Sequence, residues 1–389
     1  MASYISSNAN RFYAALESGF GSVATVAAGN RIPALKLTVQ QKLEVTNRKD
    51  KTGSRTFAGL PTSGRRTTSF ELQTYMTSWQ AAAGGPAYGP LFQAALGAVP
   101  LLFNGGVVAS YSGTTLTFAA PHGLNASQAV SCGGEIRFVT AIVNANTVQV
   151  NAPFTAAPAS GTAIGAAVTY QPAADLPSAS LFDYWDPASA VQRILSGAAV
   201  DQMEIRINGD FHQFDFSGVA QDVLDSASFT AGQGNLASYP AEPAVGAFDY
   251  SIVPGNLGEA WLGTEPAQFF TVTEAAVVLK NGLDMRSREF GFSLPQAISP
   301  GQRTVQASIG LYSQTDSATP ALYQAARQQA PISLMFQLGQ TQGQVMGVYL
   351  PNVIPAVPQF DDSSNRLQWV FKPSRAQGTV DNEIAVAFG

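Results

Sequence analysis

The chain has 389 residues, of which 12% are charged and 46% hydrophobic, with a net charge of −5 and one cysteine, Cys132. That length accommodates two or three domains. The mildly acidic balance excludes a strong electrostatic footprint for nucleic acid, and one cysteine excludes an intrachain disulfide or a thiolate metal cage. Soluble domains usually carry roughly 25% charged residues. So sparse a charge suits a surface covered largely by copies of itself better than a fully solvated one.

In chain order, residues 1–10 lack the basic start and apolar core of a signal peptide. Residues 10–17 form a weak helical candidate within an N-terminal arm, 1–32. Next, 35–39 (LKLTV) and 69–75 (SFELQTY) alternate apolar and polar residues, as half-buried strands do. A proline-led helix is predicted at 90–96 (PLFQAAL). The longest apolar stretch, 94–103, is interrupted by Gly97 and Pro100 and falls short of the roughly 18 to 20 residues that span a bilayer. The alternating runs 203–207 (MEIRI) and 211–216 (FHQFDF) flank Asn208, Gly209 and Asp210, which is hairpin chemistry. The Gly-, Ala-, Ser- and Pro-rich segment 228–258 reads as a linker. A second proline-led helix is predicted at 320–327 (PALYQAAR). The expected class is all-β with one short helix per repeat.

An internal repeat organises these elements. Residues 64–72 (GRRTTSFEL) parallel 301–309 (GQRTVQASI) without a gap, and Tyr75 then matches Tyr312. Upstream, 43–48 parallels 283–288. Downstream, 92–95 (FQAA) parallels 323–326 (YQAA), and 209–216 parallels 364–371. Four blocks in one order define two tandem β-sandwich or barrel domains: 33–103 with 171–239, and 240–389. The excess in the first copy, 104–170, has its own short strands and turns at Pro121–Gly123 and Cys132–Gly134. It is expected to be a small inserted β-domain that projects outward from an exposed tip.

Residues for chemistry are few. His212 lies on the polar side of a strand, and His122 follows Pro121 in a turn. Neither comes with the nucleophile and orienting acid of a hydrolytic triad. Asp361 and Asp362 sit in turn-forming sequence, and Asp183 and Asp186 flank Tyr184 and Trp185 as packing residues. Gly19, Gly21, Gly105 and Gly106 lack the lysine and strand–helix context of a phosphate loop. No catalytic residue, cofactor or metal is expected. One charged feature stands out: Arg48, Lys49, Lys51, Arg55, Arg65 and Arg66 gather six basic residues in one loop and its exit. Arg286, Arg288 and Arg303 repeat it more sparsely. A long arm docking on a neighbouring subunit by complementary charge is the favoured reading, over a solvated loop or a DNA patch.

Residues 43–75, 85–95, 203–219 and 279–389 together resemble the tail tube proteins of long-tailed bacteriophages. The resemblance rests on the order and spacing of blocks and departs from the simplest family pattern in having two copies per chain. It implies a β-sandwich flanked by one helix that forms rings through sheets shared between subunits, with the long loop stacking ring on ring. Six fold positions per ring then mean three chains, a homotrimeric pseudo-hexamer. The implied partners are the chain itself, the tail terminator, the tape measure and the distal tail or baseplate proteins, with no membrane. Assembly would take place in the host cytoplasm, and the product would reside in the virion. Duplex DNA would pass through without specific binding, so a lumen weighted toward Asp and Glu is expected, with Glu71, Glu204 and Asp215 as candidates. A single baseplate or distal tail ring, or a carbohydrate-binding decoration formed by the insertion, are the alternatives.

Overall fold

The computed structural model describes residues 4–46, 50–56, 62–80, 83–244, 248, 251–263, 265–363 and 365–389. The protein is all-β: antiparallel strands dominate, with two α-helices, Gly89–Leu96 and Ala318–Gln328, among the described residues. In the first copy, strand Ala34–Thr46 pairs with Thr62–Tyr75, which pairs with Gln213–Ala220, which pairs with Arg193–Ile207. Leu37, Phe70, Leu72, Phe214, Phe216, Met203 and Ile205 are buried on one face of this sheet. The residues between them turn outward, the period of two that alternation dictates.

The second copy repeats this sheet pair by pair. Val272–Lys280 pairs with Thr304–Tyr312, which pairs with Gln368–Ala376, which pairs with Gln359–Asp361. Leu72 faces Phe216 in the first copy and Ile309 faces Phe371 in the second, so residues matched by the sequence repeat hold the same ladder positions. One bulge coincides as well, between Ala34 and Lys36 in the first copy and between Val272 and Glu274 in the second. The two sheets are continuous. Gln202 to Ile207 pair with Lys280 to Ala275, which joins the last strand of the first copy to the first strand of the second.

A second layer closes each copy. In the first it comprises Asn10–Leu16, Ala179–Trp185, Asp222–Asp225 and the early part of Arg193–Ile207. In the second it comprises Gly258–Gly263, Ile332–Leu338, Met346–Ile354 and Ala385–Phe388. The expected helix at 10–17 is thus replaced by the strand Asn10–Leu16. Tyr13, Ala14 and Ala15 are buried in succession, which a strand covered on both faces requires. The helix Gly89–Leu96 plugs the first copy, where Phe92 meets Phe214, Phe216 and Phe388 at centroid distances of 5.1, 5.3 and 5.2 Å. Burying each such ring contributes about 1.5–3 kcal/mol.

Residues 106–164 form a separate six-stranded sheet with its own core of Val108, Leu116, Phe118, Val148 and Phe154. It does not stand clear of the parent fold as expected. Ile136 and Phe138 pack on Trp261, Met335 and Tyr349 of the second copy. Gly134, at φ +84°, lies so close that a Cβ there would meet the Gln340 carbonyl oxygen at 2.1 Å. The buried Arg137 clamps this contact. Its guanidinium donates to the Pro153 and Ile136 carbonyls at 3.0 and 2.7 Å and lies 3.4 Å from Glu259. It also stacks over Phe154 and Trp261. Desolvation lowers its pKa, while the charges of Glu135 and Glu259 oppose that shift.

Candidate assembly surfaces

Two strand edges and one polar face form the candidate site. Among the described residues, the outer edge of Ala34–Thr46 carries no strand, and neither does the outer edge of Gln359–Asp361. These are the two ends of the continuous sheet. An open edge is a row of unpaired N–H and C=O groups that templates another strand.

The edge at 359–361 also exposes apolar surface. Phe360 is 58% exposed and packs on Trp369 at 5.3 Å and Tyr323 at 6.1 Å. Phe360 takes the ladder position that Ile205 holds in the first copy, because Ile205 faces Phe214 and Phe360 faces Trp369. Ile205 is fully buried, under the strand Val272–Lys280 that the second copy lays beside it.

Of the basic residues read from the sequence, Arg48 and Lys49 lie outside the described residues. Lys51, Arg55 and Arg288 are exposed, and Arg65 is half-buried. Arg286 pairs with Glu289 inside its own hairpin, Asp284–Arg286 with Ala297–Ser299. Arg66 reaches Asp222 at 3.6 Å, and its backbone N–H donates to the Ser293 carbonyl at 3.0 Å. The second copy's loop therefore lies across the base of the first. Arg303, in the matching position, donates to the Ala173 carbonyl at 2.9 Å and to Asp381 at 2.6 Å. A cleft of about 400 Å³ opens beside it, lined by Ala173, Pro300, Asp381 and Glu383. Both arginines spend their charge within the chain.

Glu71, Glu204 and Asp215 share the outward face of the continuous sheet. Glu204 lies directly opposite Asp215, and Arg206 bridges them at 3.0 and 2.9 Å. Exposed Lys36, Lys42 and Lys280 stand on the same face. The face is polar and of mixed sign.

The histidines serve structure. His122 accepts from the Leu124 N–H through Nδ1 at 2.9 Å, so Nε2 carries the proton and donates to the Asn144 carbonyl at 3.0 Å. His212 Nε2 reaches the Leu257 carbonyl at 2.9 Å, tying the first copy's hairpin to the segment that leads into the second. Asp183 is buried against Arg193 and Asn10, and Asp361 caps the Ser363 N–H at 2.9 Å. Among the described residues no cluster of His, Cys, Asp or Glu is arranged to hold a metal. No protein-family model matches the chain, and comparison with curated proteins finds no match.

The sequence pointed to charged loops. It missed the two edges, because one strand carries no sign of which of its sides is left open. The signal that finds them is the repeat itself: the outer edge of Arg193–Ile207 has a partner strand, and among the described residues its equivalent Gln359–Asp361 has none on that side.

Proposed function

We propose that this chain is a structural subunit that polymerises into the stacked rings of a bacteriophage tail tube, a conduit for DNA. The observation that carries the reading is the continuous two-copy sheet with one open edge at each end. A head-to-tail unit of that kind adds to itself, and rotation between copies closes it into a ring. With two fold positions per chain, three chains complete a ring of six. The polar face then lines the bore. Its charges are mixed, with Arg206 neutralised by Glu204 and Asp215, where the sequence had pointed to a lining weighted toward Asp and Glu.

Negative-stain microscopy of the purified chain tests the reading. Long hollow tubes of uniform width, with three chains per ring by mass, are the expected result. Isolated rings that never stack would move the assignment to a baseplate or distal tail ring. A monomer at every concentration would overturn it.

A further inference from the structure

We infer that the contact between chains is an antiparallel strand pair between 38–40 of one chain and 359–361 of a second copy, in the register of the internal junction. This deepens the assembly reading and rests on it. The register is fixed by residues already placed. Ile205 faces Val277 at the internal junction, with Glu204 facing Val278 and Arg206 facing Ala276. The second copy's equivalents of Glu204, Ile205 and Arg206 are Gln359, Phe360 and Asp361, since each triplet pairs with the matching residues of the neighbouring strand. The first copy's equivalents of Val278, Val277 and Ala276 are Gln40, Val39 and Thr38, by the shared ladder and the shared bulge. Gln359 therefore faces Gln40 of the second chain, Phe360 faces Val39 and Asp361 faces Thr38. Phe360 becomes buried where Ile205 already is.

Charge sets which edge meets which. At the internal junction Arg206 lies two residues along from Glu274, across the ladder. At the junction between chains the same two places hold Asp361 and Lys36. The signs are reversed. Pairing either late strand with the wrong early strand would set Arg206 beside Lys36, or Asp361 beside Glu274. Diagonal like charges oppose that choice. The two junctions also differ in length. The first copy's strand Arg193–Ile207 is unbroken, whereas Pro355 and Pro358 separate Met346–Ile354 from Gln359–Asp361. Proline offers no N–H to a ladder, so the open edge stays short, a guard against indiscriminate strand pairing. The junction between chains is the weaker of the two, and a ring opens there first.

Cysteine pairing tests the register, since the native Cys132 is buried. The double variant Gln40→Cys with Gln359→Cys should give covalent two-chain and three-chain species on oxidation or with a short thiol cross-linker. The pair Lys42→Cys with Gln359→Cys, shifted by two residues, should give far less. Asp361→Lys, at a fully exposed position, should raise the concentration needed for assembly by roughly tenfold or more, and adding Lys36→Asp should restore it. Tubes that form without the first cross-link would overturn this junction and leave the tube reading standing. Cross-linked rings that never stack would uphold the junction and overturn the tube. A chain that never associates would overturn both.

Discussion

The two copies hold matching residues in unlike surroundings. Phe92 and its partner Phe214 are fully buried, while their counterparts Tyr323 and Trp369 are half-buried beside an exposed Phe360. The folds are alike, and the difference lies in what comes next along the sheet. The first copy is covered by the second. Among the described residues, no strand of the same chain pairs with the outer edge of the second at Gln359–Asp361. Burial in this protein is therefore decided by the neighbour as much as by the residue, and the bare positions mark where a neighbour is missing.

The largest stability effects should come from the seams that are already closed. Arg137→Ala leaves Glu135 and Glu259 near a buried site without their cation, and should cost about 3–5 kcal/mol in denaturant unfolding. A loss near zero would mean that the insertion is not held to the second copy by this clamp. Phe92→Ala should cost about 3–5 kcal/mol through the cavity it leaves. Tyr323→Ala, at the matching place, should cost less than about 1 kcal/mol in the unassembled chain. Equal losses at the two sites would break the comparison.

Much of the fold was legible because alternation and repetition both report on the continuous sheet. The 69–75 and 203–207 patterns place their apolar residues on the core face, and the 64–72 and 301–309 blocks fall on equivalent strands. The second layer was not legible in the same way. Asn10–Leu16, Ala179–Trp185 and Ile332–Leu338 are covered on both faces, so they carry runs of buried residues where a half-buried strand would alternate. The docking of the insertion was hidden for another reason. Arg137 reads as an outward residue of an alternating strand, and its partner Glu259 lies 122 residues away. Phe360 reads as part of a turn until the pairing with Trp369 places it on a ladder.

The seam between copies should also respond to pH. Burial pushes His212 below its usual 6.5, against the opposing hydrogen bond to Leu257. The unfolded chain takes up a proton near pH 6.5 and the folded chain resists it. The stability is thus whole above pH 6.5 and falls as the pH drops from there toward the folded pKa. Unfolding midpoints measured on either side of pH 6.5 should show this fall, and His212→Gln should flatten it. An unchanged slope in that variant would place the acid sensitivity elsewhere.

The smallest effect belongs to the polar face, and its smallness is the point. Arg206 is 55% exposed where it bridges Glu204 and Asp215. Solvent screens such pairs, so Arg206→Ala should cost no more than about 1 kcal/mol, and added salt should shrink even that. A face whose charges hold the monomer together would show a larger, salt-resistant loss. A solvated face shows almost none, because Glu204, Arg206 and Asp215 are matched to one another and owe little to the core behind them.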